Sequence, residues 1–220
     1  MIRKITKYIS THSQLTIIIS VLLLILVNPY YWETPLRDYF NFLFLVLILL
    51  SAILTIKKSR TNLKYLAGIG YLLIGISLLS ALKIHPFFEL LEKLAYVLYL
   101  VLVAINLVME MIKSKEVDSE VILSAVAAYV LFGFCGALVT AVILFFEPAA
   151  FTIEATDISI LHQCLYFSFV TITTTGYGDI APIAPIAKTL AIYLAVFGQL
   201  YLTVIISILI GKYLSSRSKS

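Results

Sequence analysis

Long apolar stretches separated by short charged segments dominate the pattern of hydrophobic and polar positions along this chain. A helix needs about 20 residues to cross the hydrocarbon core of a bilayer. Windows of roughly that length are found at about 14–32, 38–56, 64–82, 94–112, 121–146 and 186–213. The pattern therefore predicts six membrane-spanning helices.

Composition excludes an ordinary soluble domain. Of 220 residues, 61% are hydrophobic and only 13% are charged, which is far more apolar than a typical globular protein. The connections at 57–62 and 113–120 are short and charged, so they leave no room for a separate soluble module. The expected fold class is an all-α, multi-pass membrane protein surrounded by a lipid bilayer.

The basic residues predict an orientation. With the N-terminus in the cytoplasm, twelve of the 16 basic residues fall on the cytoplasmic side: Arg3, Lys4, Lys7, Lys57, Lys58, Arg60, Lys64, Lys113, Lys115, Lys212, Arg217 and Lys219. The other four are Arg37, Lys83, Lys93 and Lys188. This excess follows the positive-inside rule and predicts that both termini are cytoplasmic. The net charge of +4 is thus explained by orientation, and nucleic-acid binding is not expected.

One stretch, Thr171–Asp179, differs from the apolar helices around it. It reads Thr-Ile-Thr-Thr-Thr-Gly-Tyr-Gly-Asp, and two glycines in three residues would each cost a helix interior about 1 kcal/mol. Glycine gives access to positive φ, so alternating glycine and non-glycine residues can turn successive carbonyl oxygens to one side. Such a row of oxygens can bind cations. The aromatic segment 158–170 before it predicts a short helix, with Asp157 or Ser159 as N-cap.

The residues Thr171-x-x-Thr174-x-Gly176-Tyr177-Gly178 resemble the selectivity-filter signature of the tetrameric potassium channels. The resemblance implies that backbone oxygens and one hydroxyl replace the water shell of a potassium ion. The implied oxygens are the carbonyls of Thr174, Thr175, Gly176 and Tyr177 and the hydroxyl of Thr174, with Gly178 at the outer lip. Potassium in the filter is then the conducted ion. No cofactor and no small-molecule substrate are expected.

The same resemblance implies a layout with a re-entrant pore helix and filter between the fifth and sixth helices. It divides the chain into an N-terminal four-helix membrane domain, 1–115, and a pore domain, 116–220. In voltage-gated relatives the fourth helix carries regularly spaced arginines, whereas 94–112 has no basic residue. The first domain therefore resembles a sensor bundle in architecture alone, and voltage sensing by its fourth helix is not expected.

Two groups of residues around the filter follow from the resemblance. Gly198 falls where the family has a hinge glycine in its inner helix, although close packing against another helix is an equal alternative. The cavity and gate positions at helical spacing from it are Gln199, Leu202, Thr203, Ile206 and Ile210. Asp179 closes the signature. Because Val170 stands where some bacterial channels have a bracing glutamate, support for Asp179 is expected from the neighbourhood of Tyr166 or Phe167.

Small residues recur at every fourth position of the fifth span, at Gly133, Ala137 and Ala141. They lie on one helix face and allow a close approach of backbones. We expect the sixth span to be the partner, although small residues are also simply common in membrane helices.

A single filter sequence supplies one part of a pore, because a carbonyl cage needs oxygens that converge from several sides. Closed rotational symmetry is the usual solution, so the sequence predicts a homotetramer that conducts potassium passively across the plasma membrane. The alternatives are a weakly selective cation channel, the membrane subunit of a potassium uptake transporter, or a non-conducting partner subunit. Nothing in the sequence suggests an enzyme: no nucleophile–base arrangement, phosphate loop or metal cluster is apparent.

Overall fold

The computed structural model describes residues 13–27, 36–58, 64–81, 86–114, 117–153 and 159–217. Over these residues the chain is all-helical, which confirms the all-α class. The seven helices are α1 (Ser13–Val27), α2 (Leu36–Lys58), α3 (Lys64–Ala81), α4 (Pro86–Lys113), α5 (Ser119–Phe146), α6 (Ile160–Ile172) and α7 (Pro185–Arg217). Several basic residues used for the orientation lie outside the described residues: 3, 4, 7, 60, 83, 115 and 219.

Four of the described helices are long and apolar enough to cross a membrane. Their qualifying segments are Tyr39–Ile56, Leu90–Lys113, Ser119–Phe146 and Pro185–Lys212. The apolar parts of α1, α3 and α6 are shorter, at Ser13–Val27, Tyr65–Ser80 and Ile160–Ile172. Length and composition thus support a membrane protein, and the count of six spans stays a prediction.

The first five helices share one hydrophobic core. Helices α1 to α5 pack in sequence order, and α1 also packs against α5. Side chains from each helix are fully buried there, among them Ile17, Ile48, Leu73, Leu100 and Leu131. The same core extends to Tyr201 and Ile205 of α7. The first four helices are therefore packed directly onto α5, the helix that precedes α6 and the glycine-rich stretch.

Helix α4 begins earlier than the apolar pattern predicts. It starts at Pro86, eight residues before the expected window, because proline fits the first turn of a helix and a helix can continue past the hydrocarbon core. Lys93, which precedes the predicted window, therefore lies within the helix and is half-buried. The other basic residue of α4 is Lys113 in its last turn.

Gly133, one of the three small residues expected to face the sixth span, lies against α6 instead. A Cβ at Gly133 would overlap the ring of Phe169, and the Ser168 hydroxyl donates a hydrogen bond to the Gly133 carbonyl at 2.6 Å. Gly136, which the pattern did not single out, contacts Ser168 of α6 and Leu194 of α7. The close approach thus accommodates the short helix α6, which packs on both α5 and α7.

The far end of α7 is tied to the end of α4. The Lys212 ammonium donates hydrogen bonds to the carbonyl oxygens of Met111, Ile112 and Ser114 at 2.7, 2.7 and 2.6 Å. The last carbonyls of a helix have no partner within the helix, and a lysine is suited to cap them. This contact joins residues about a hundred positions apart in sequence.

Candidate ion-binding site

Helix α6 leads directly into the glycine-rich stretch. It runs from Ile160 to Ile172, two residues later than the predicted 158–170. Ser159 occupies the N-cap position, as one of the two alternatives expected, but its side chain makes no capping hydrogen bond. The other alternative, Asp157, lies outside the described residues.

The residues after α6, 173–179, form what we call the filter segment. Its first amides bond back to the carbonyls at the end of α6. The Val170 carbonyl accepts from the amides of Thr175 and Gly176 at 3.0 and 3.2 Å, and the Thr171 carbonyl accepts from Thr174 at 2.9 Å. The C-terminal end of a helix carries partial negative charge. The filter segment therefore starts at a point that favours a cation.

The backbone of the filter segment alternates in handedness. Positive φ values occur at Thr174, Gly176 and Gly178, at 60°, 57° and 84°. The two glycines adopt this conformation without strain, whereas a non-glycine residue there costs about 1–2 kcal/mol. The alternation thus begins one step earlier than the glycines indicate, at Thr174, which is the first ligand implied by the resemblance.

The predicted ligands are all on the surface of the single chain. Every residue of the filter segment is exposed, and Tyr177 reaches 71%. The Thr174 hydroxyl donates to the Thr173 carbonyl at 2.6 Å, so its proton is occupied while its oxygen lone pairs remain able to bind a cation. Thr175, Gly176 and Tyr177 are likewise exposed residues.

The structure brings Tyr166 and Asp179 together. The Tyr166 hydroxyl donates a hydrogen bond of 2.6 Å to Asp179 Oδ2, and the Tyr166 ring stacks on Tyr177 with centroids 6.4 Å apart. Phe167 is placed elsewhere: it is buried against Phe151, with ring centroids 4.9 Å apart. Of the two aromatic residues proposed to support Asp179, only Tyr166 makes the contact.

We expect Tyr166→Phe to shift the titration of Asp179. The hydrogen bond from Tyr166 lowers the pKa of Asp179, because a donor stabilises the ionised carboxylate. A depressed pKa contributes stability above the ordinary pKa of aspartate, and this contribution is lost as pH falls through the depressed value. In the variant, a carbon NMR titration should show the Asp179 carboxyl protonating at higher pH. An unchanged midpoint would contradict the argument, and Tyr193→Phe on α7 is the control.

A second contact to the filter segment comes from the loop after α5. Thr152 Oγ1 donates to the Asp179 carbonyl at 3.3 Å and accepts from the Ala181 amide at 2.7 Å. The Thr152 amide donates to the Ala181 carbonyl at 2.9 Å. Sequence reasoning missed Thr152, since nothing local to 152 reveals pairing with residues almost thirty positions later. These hydrogen bonds attach the end of the filter segment to the loop that follows α5.

Gly198 lies directly against the end of α6. A Cβ there would overlap the carbonyl oxygen of Ile172, and its space is otherwise limited by the Ile172 side chain. The Tyr129 hydroxyl donates to the same carbonyl at 3.1 Å. Helix α7 is continuous through this position. Close packing, one of the two roles considered, is therefore present, and the hinge role stays a prediction.

The predicted cavity positions share an exposed face of α7. Gln199, Leu202, Thr203, Ile206 and Ile210 are all exposed in the single chain. Sequence reasoning missed Ser207, which is also exposed and completes an i, i+4, i+8 series with Gln199 and Thr203. The hydroxyls of Thr203 and Ser207 each donate 2.8 Å hydrogen bonds to the carbonyl four residues earlier. Gln199, Thr203 and Ser207 therefore form one polar row along a mostly apolar part of α7.

Comparison with known proteins identifies the part of the chain that carries these features. Residues 132–215 match the family model described as ion channel. The match begins in α5, includes α6 and the filter segment, and ends in α7. Searches of curated proteins and of solved structures returned no match. The match supports an ion channel domain over residues 132–215.

Proposed function

We propose that the chain is a subunit of a potassium-selective channel, and that four copies surround one axis and conduct potassium passively. The observation that carries the proposal is the backbone of the filter segment. Its φ values are positive at every second residue from Thr174 to Gly178. The preceding helix, α6, ends at Ile172, directly before the segment. This is a backbone on which successive carbonyls can serve as cation ligands.

The exposure of the filter segment in the single chain supports an assembly in which several copies of the chain meet at this segment. Carbonyl ligands on one side of a cation leave its other sides open, so further copies are needed to complete the cage. Closed symmetry supplies them. The carbonyls of Thr174, Thr175, Gly176 and Tyr177 would then hold dehydrated potassium ions, with Gly178 at the outer end.

The polar row on α7 supports a water-filled cavity below the filter segment. Gln199, Thr203 and Ser207 lie in line on the exposed face. Polar side chains facing lipid are unfavourable and normally point to a bundle interior or a water-filled space. Around a fourfold axis this row would line the cavity, with Leu202, Ile206 and Ile210 beside it as apolar gate positions that close by dewetting.

A weakly selective cation channel is the second candidate, because it would use the same architecture with fewer well-ordered ligands. Tyr177 favours potassium selectivity, since the resemblance associates loss of this tyrosine with weak selectivity. A potassium uptake transporter subunit is less well supported, because the resemblance there is to several fused pore repeats and the chain has one. The proposed location is the plasma membrane with both termini in the cytoplasm.

Potassium flux from liposomes containing the purified protein tests this function, with sodium as the competing cation. Gly178→Ala is expected to abolish potassium-selective flux. Its φ of 84° costs an alanine about 1–2 kcal/mol, and each subunit of the assembly would bear that cost. Gly75→Ala is the matched control, because a Cβ at Gly75 in α3 meets nothing within 4 Å, and its flux should equal that of the wild type.

The outcomes separate the candidate functions. Potassium flux that exceeds sodium flux and is lost only in Gly178→Ala supports the selective channel. Equal fluxes of the two ions in the wild type would overturn selectivity and leave the weakly selective channel. An assembled protein without flux under any applied voltage or pH would favour a non-conducting partner subunit.

A further inference from the structure

Helix α6 is attached to the end of α1 through His162. This histidine lies in the first turn of α6 and is half-buried, and its imidazole forms a hydrogen bond with the backbone of Ile25. Ile25 lies in the last turn of α1, which ends at Val27. Its amide is used within the helix, whereas the last four carbonyls of a helix have no partner there. The imidazole therefore donates to the Ile25 carbonyl and caps the end of α1.

The other ring nitrogen determines which protonation state of His162 fits this contact. Nδ1 is buried and has no hydrogen-bond partner among the residues that the structure describes, so Nε2 makes the bond to Ile25. A neutral imidazole has one N–H and one nitrogen that accepts. The neutral ring with its proton on Nε2 therefore fits. A protonated ring would carry a second N–H at Nδ1, and a buried donor without an acceptor is costly.

The titratable side chains around α6 do not supply that acceptor. Helix α1 carries no titratable side chain, and Lys93 of α4 acts electrostatically on Cys164, two residues after His162. The remaining groups on α6 and on the helices packed against it are Tyr166, which is bonded to Asp179, and the exposed Glu147, Lys188 and Tyr193. The acidic residues 154 and 157 lie outside the described residues.

Two opposing effects act on the charge of His162, and burial is the larger. Burial lowers the pKa of His162, because it disfavours the charged ring, and the hydrogen bond to the Ile25 carbonyl raises the pKa by less. An unperturbed histidine has a pKa of about 6.5. The attached ring therefore stays neutral over a pH range in which a fully exposed histidine is already protonated.

We propose that the His162 imidazole is an acid-sensitive attachment between α1 and α6, which is intact while the ring is neutral and weakened when the ring is protonated. The inference rests on the proposed channel function and adds a regulation to it. Helix α6 leads directly into the filter segment. Release of its first turn from α1 loosens the support of the ion-binding backbone, so acid reduces potassium conduction.

The order of the helices indicates which side of the membrane is sensitive. With both termini in the cytoplasm and alternating helix directions, α1 ends on the outer side and α4 ends on the inner side. The end of α4 is capped by Lys212 of α7, as the end of α1 is capped by His162 of α6. Of these two residue types, histidine is the one whose charge changes between about pH 5 and 8. External acid is therefore the expected signal.

The sign and the size of the effect follow from proton linkage. The pKa of His162 is lowered in the attached state and returns to about 6.5 on release. The attachment is therefore fully stable above that value and loses stability as the pH falls below it. Between about pH 7.5 and about pH 5.5, the equilibrium constant for release rises by up to about tenfold in each subunit.

NMR of histidine-labelled protein in liposomes tests the attachment without relying on channel activity. In the wild type, the nitrogen spectrum should show His162 protonated on Nε2, with a titration midpoint below about 6.5. The signal is identified by its absence from His162→Gln. A midpoint at or above that value, or a proton on Nδ1 of the neutral ring, would overturn the proposal.

The unfolding equilibrium tests the linkage. His162→Gln keeps an N–H donor for the Ile25 carbonyl but does not titrate. From about pH 7.5 to about pH 5.5, the unfolding constant of the wild type should rise relative to that of this variant, by up to about tenfold. His85→Gln, which replaces another histidine in the same way, should keep the pH dependence of the wild type. Equal pH dependence of the wild type and His162→Gln would refute the attachment.

One-sided acidification of channels inserted in one orientation in planar bilayers tests the regulation. Acid in the chamber that faces the end of α1 should reduce the potassium current of the wild type by about twofold or more relative to His162→Gln, and acid in the other chamber should not. Equal responses of the two proteins would overturn the regulation. A wild type without potassium current at any pH would instead refute the proposed function, which the NMR and unfolding measurements do not require.

Discussion

Replacing Gly198 by alanine is expected to destabilise the protein by roughly 3 kcal/mol or more, at the upper end of the cost of overpacking. Two effects oppose each other. Alanine is a better helix former than glycine by about 1 kcal/mol, but its Cβ would overlap the carbonyl oxygen of Ile172. A backbone carbonyl cannot rotate away as a flexible side chain can, so steric repulsion outweighs helix propensity. The free energy of unfolding, measured by SDS titration of the detergent-solubilised protein, checks this.

Gly211→Ala provides the control on the same helix. A Cβ at Gly211 meets nothing within 4 Å, so only the helix propensity changes and the variant should be slightly more stable than the wild type. If Gly198→Ala were equally stable, α7 would not be held against α6 as the structure describes.

The packing of Gly198 also involves the last residue of α6, Ile172. The Ile172 carbonyl accepts from Tyr129 at 3.1 Å and is pressed against Gly198, and the filter segment begins one residue later. A displacement of α7 at Gly198 would therefore also displace Ile172, the residue directly before the filter segment. The two roles considered for Gly198, close packing and hinge, would share the same contact.

The sequence was sufficient to predict the helices and the location of the filter segment. Apolar windows of about 20 residues mark the positions of α1 to α5 and α7, although only four of the described helices are long enough to cross a membrane. Glycines at 176 and 178 revealed the change of backbone conformation, since positive φ strongly favours glycine. The start of α4 was wrong by eight residues, because Pro86 and the charged residues after it are compatible with either a loop or the first turns of a helix.

Contacts between distant residues could not be predicted in the same way. The positive φ of Thr174 arises from the hydrogen bonds that draw the filter segment onto α6, and no preference of threonine indicates it. The partner of Gly133 depends on where the short helix α6 inserts. The bond from Tyr166 to Asp179 was anticipated only as one of two alternatives, because choosing between adjacent aromatic residues requires the rotation of α6 about its axis.

Replacing Lys212 by methionine is expected to detach the end of α7 from α4 and to destabilise the protein by about 1.5–3 kcal/mol, the usual contribution of hydrogen bonds to a charged group. Methionine retains an unbranched apolar side chain but no donor. The carbonyls of Met111, Ile112 and Ser114 would lose a partner that now lies within 2.7 Å of each. Unfolding of the detergent-solubilised protein measures the loss.

Lys188→Met on the same helix is the matched control, because Lys188 is exposed and its replacement should change stability by no more than about 0.5 kcal/mol. Equal stability of the two variants would mean that Lys212 does not hold α4. A selective loss at Lys212 would instead establish a mechanical connection between the four-helix bundle and the end of α7. The Lys212 contact is a direct connection between α4, which has no regularly spaced arginines, and the end of α7.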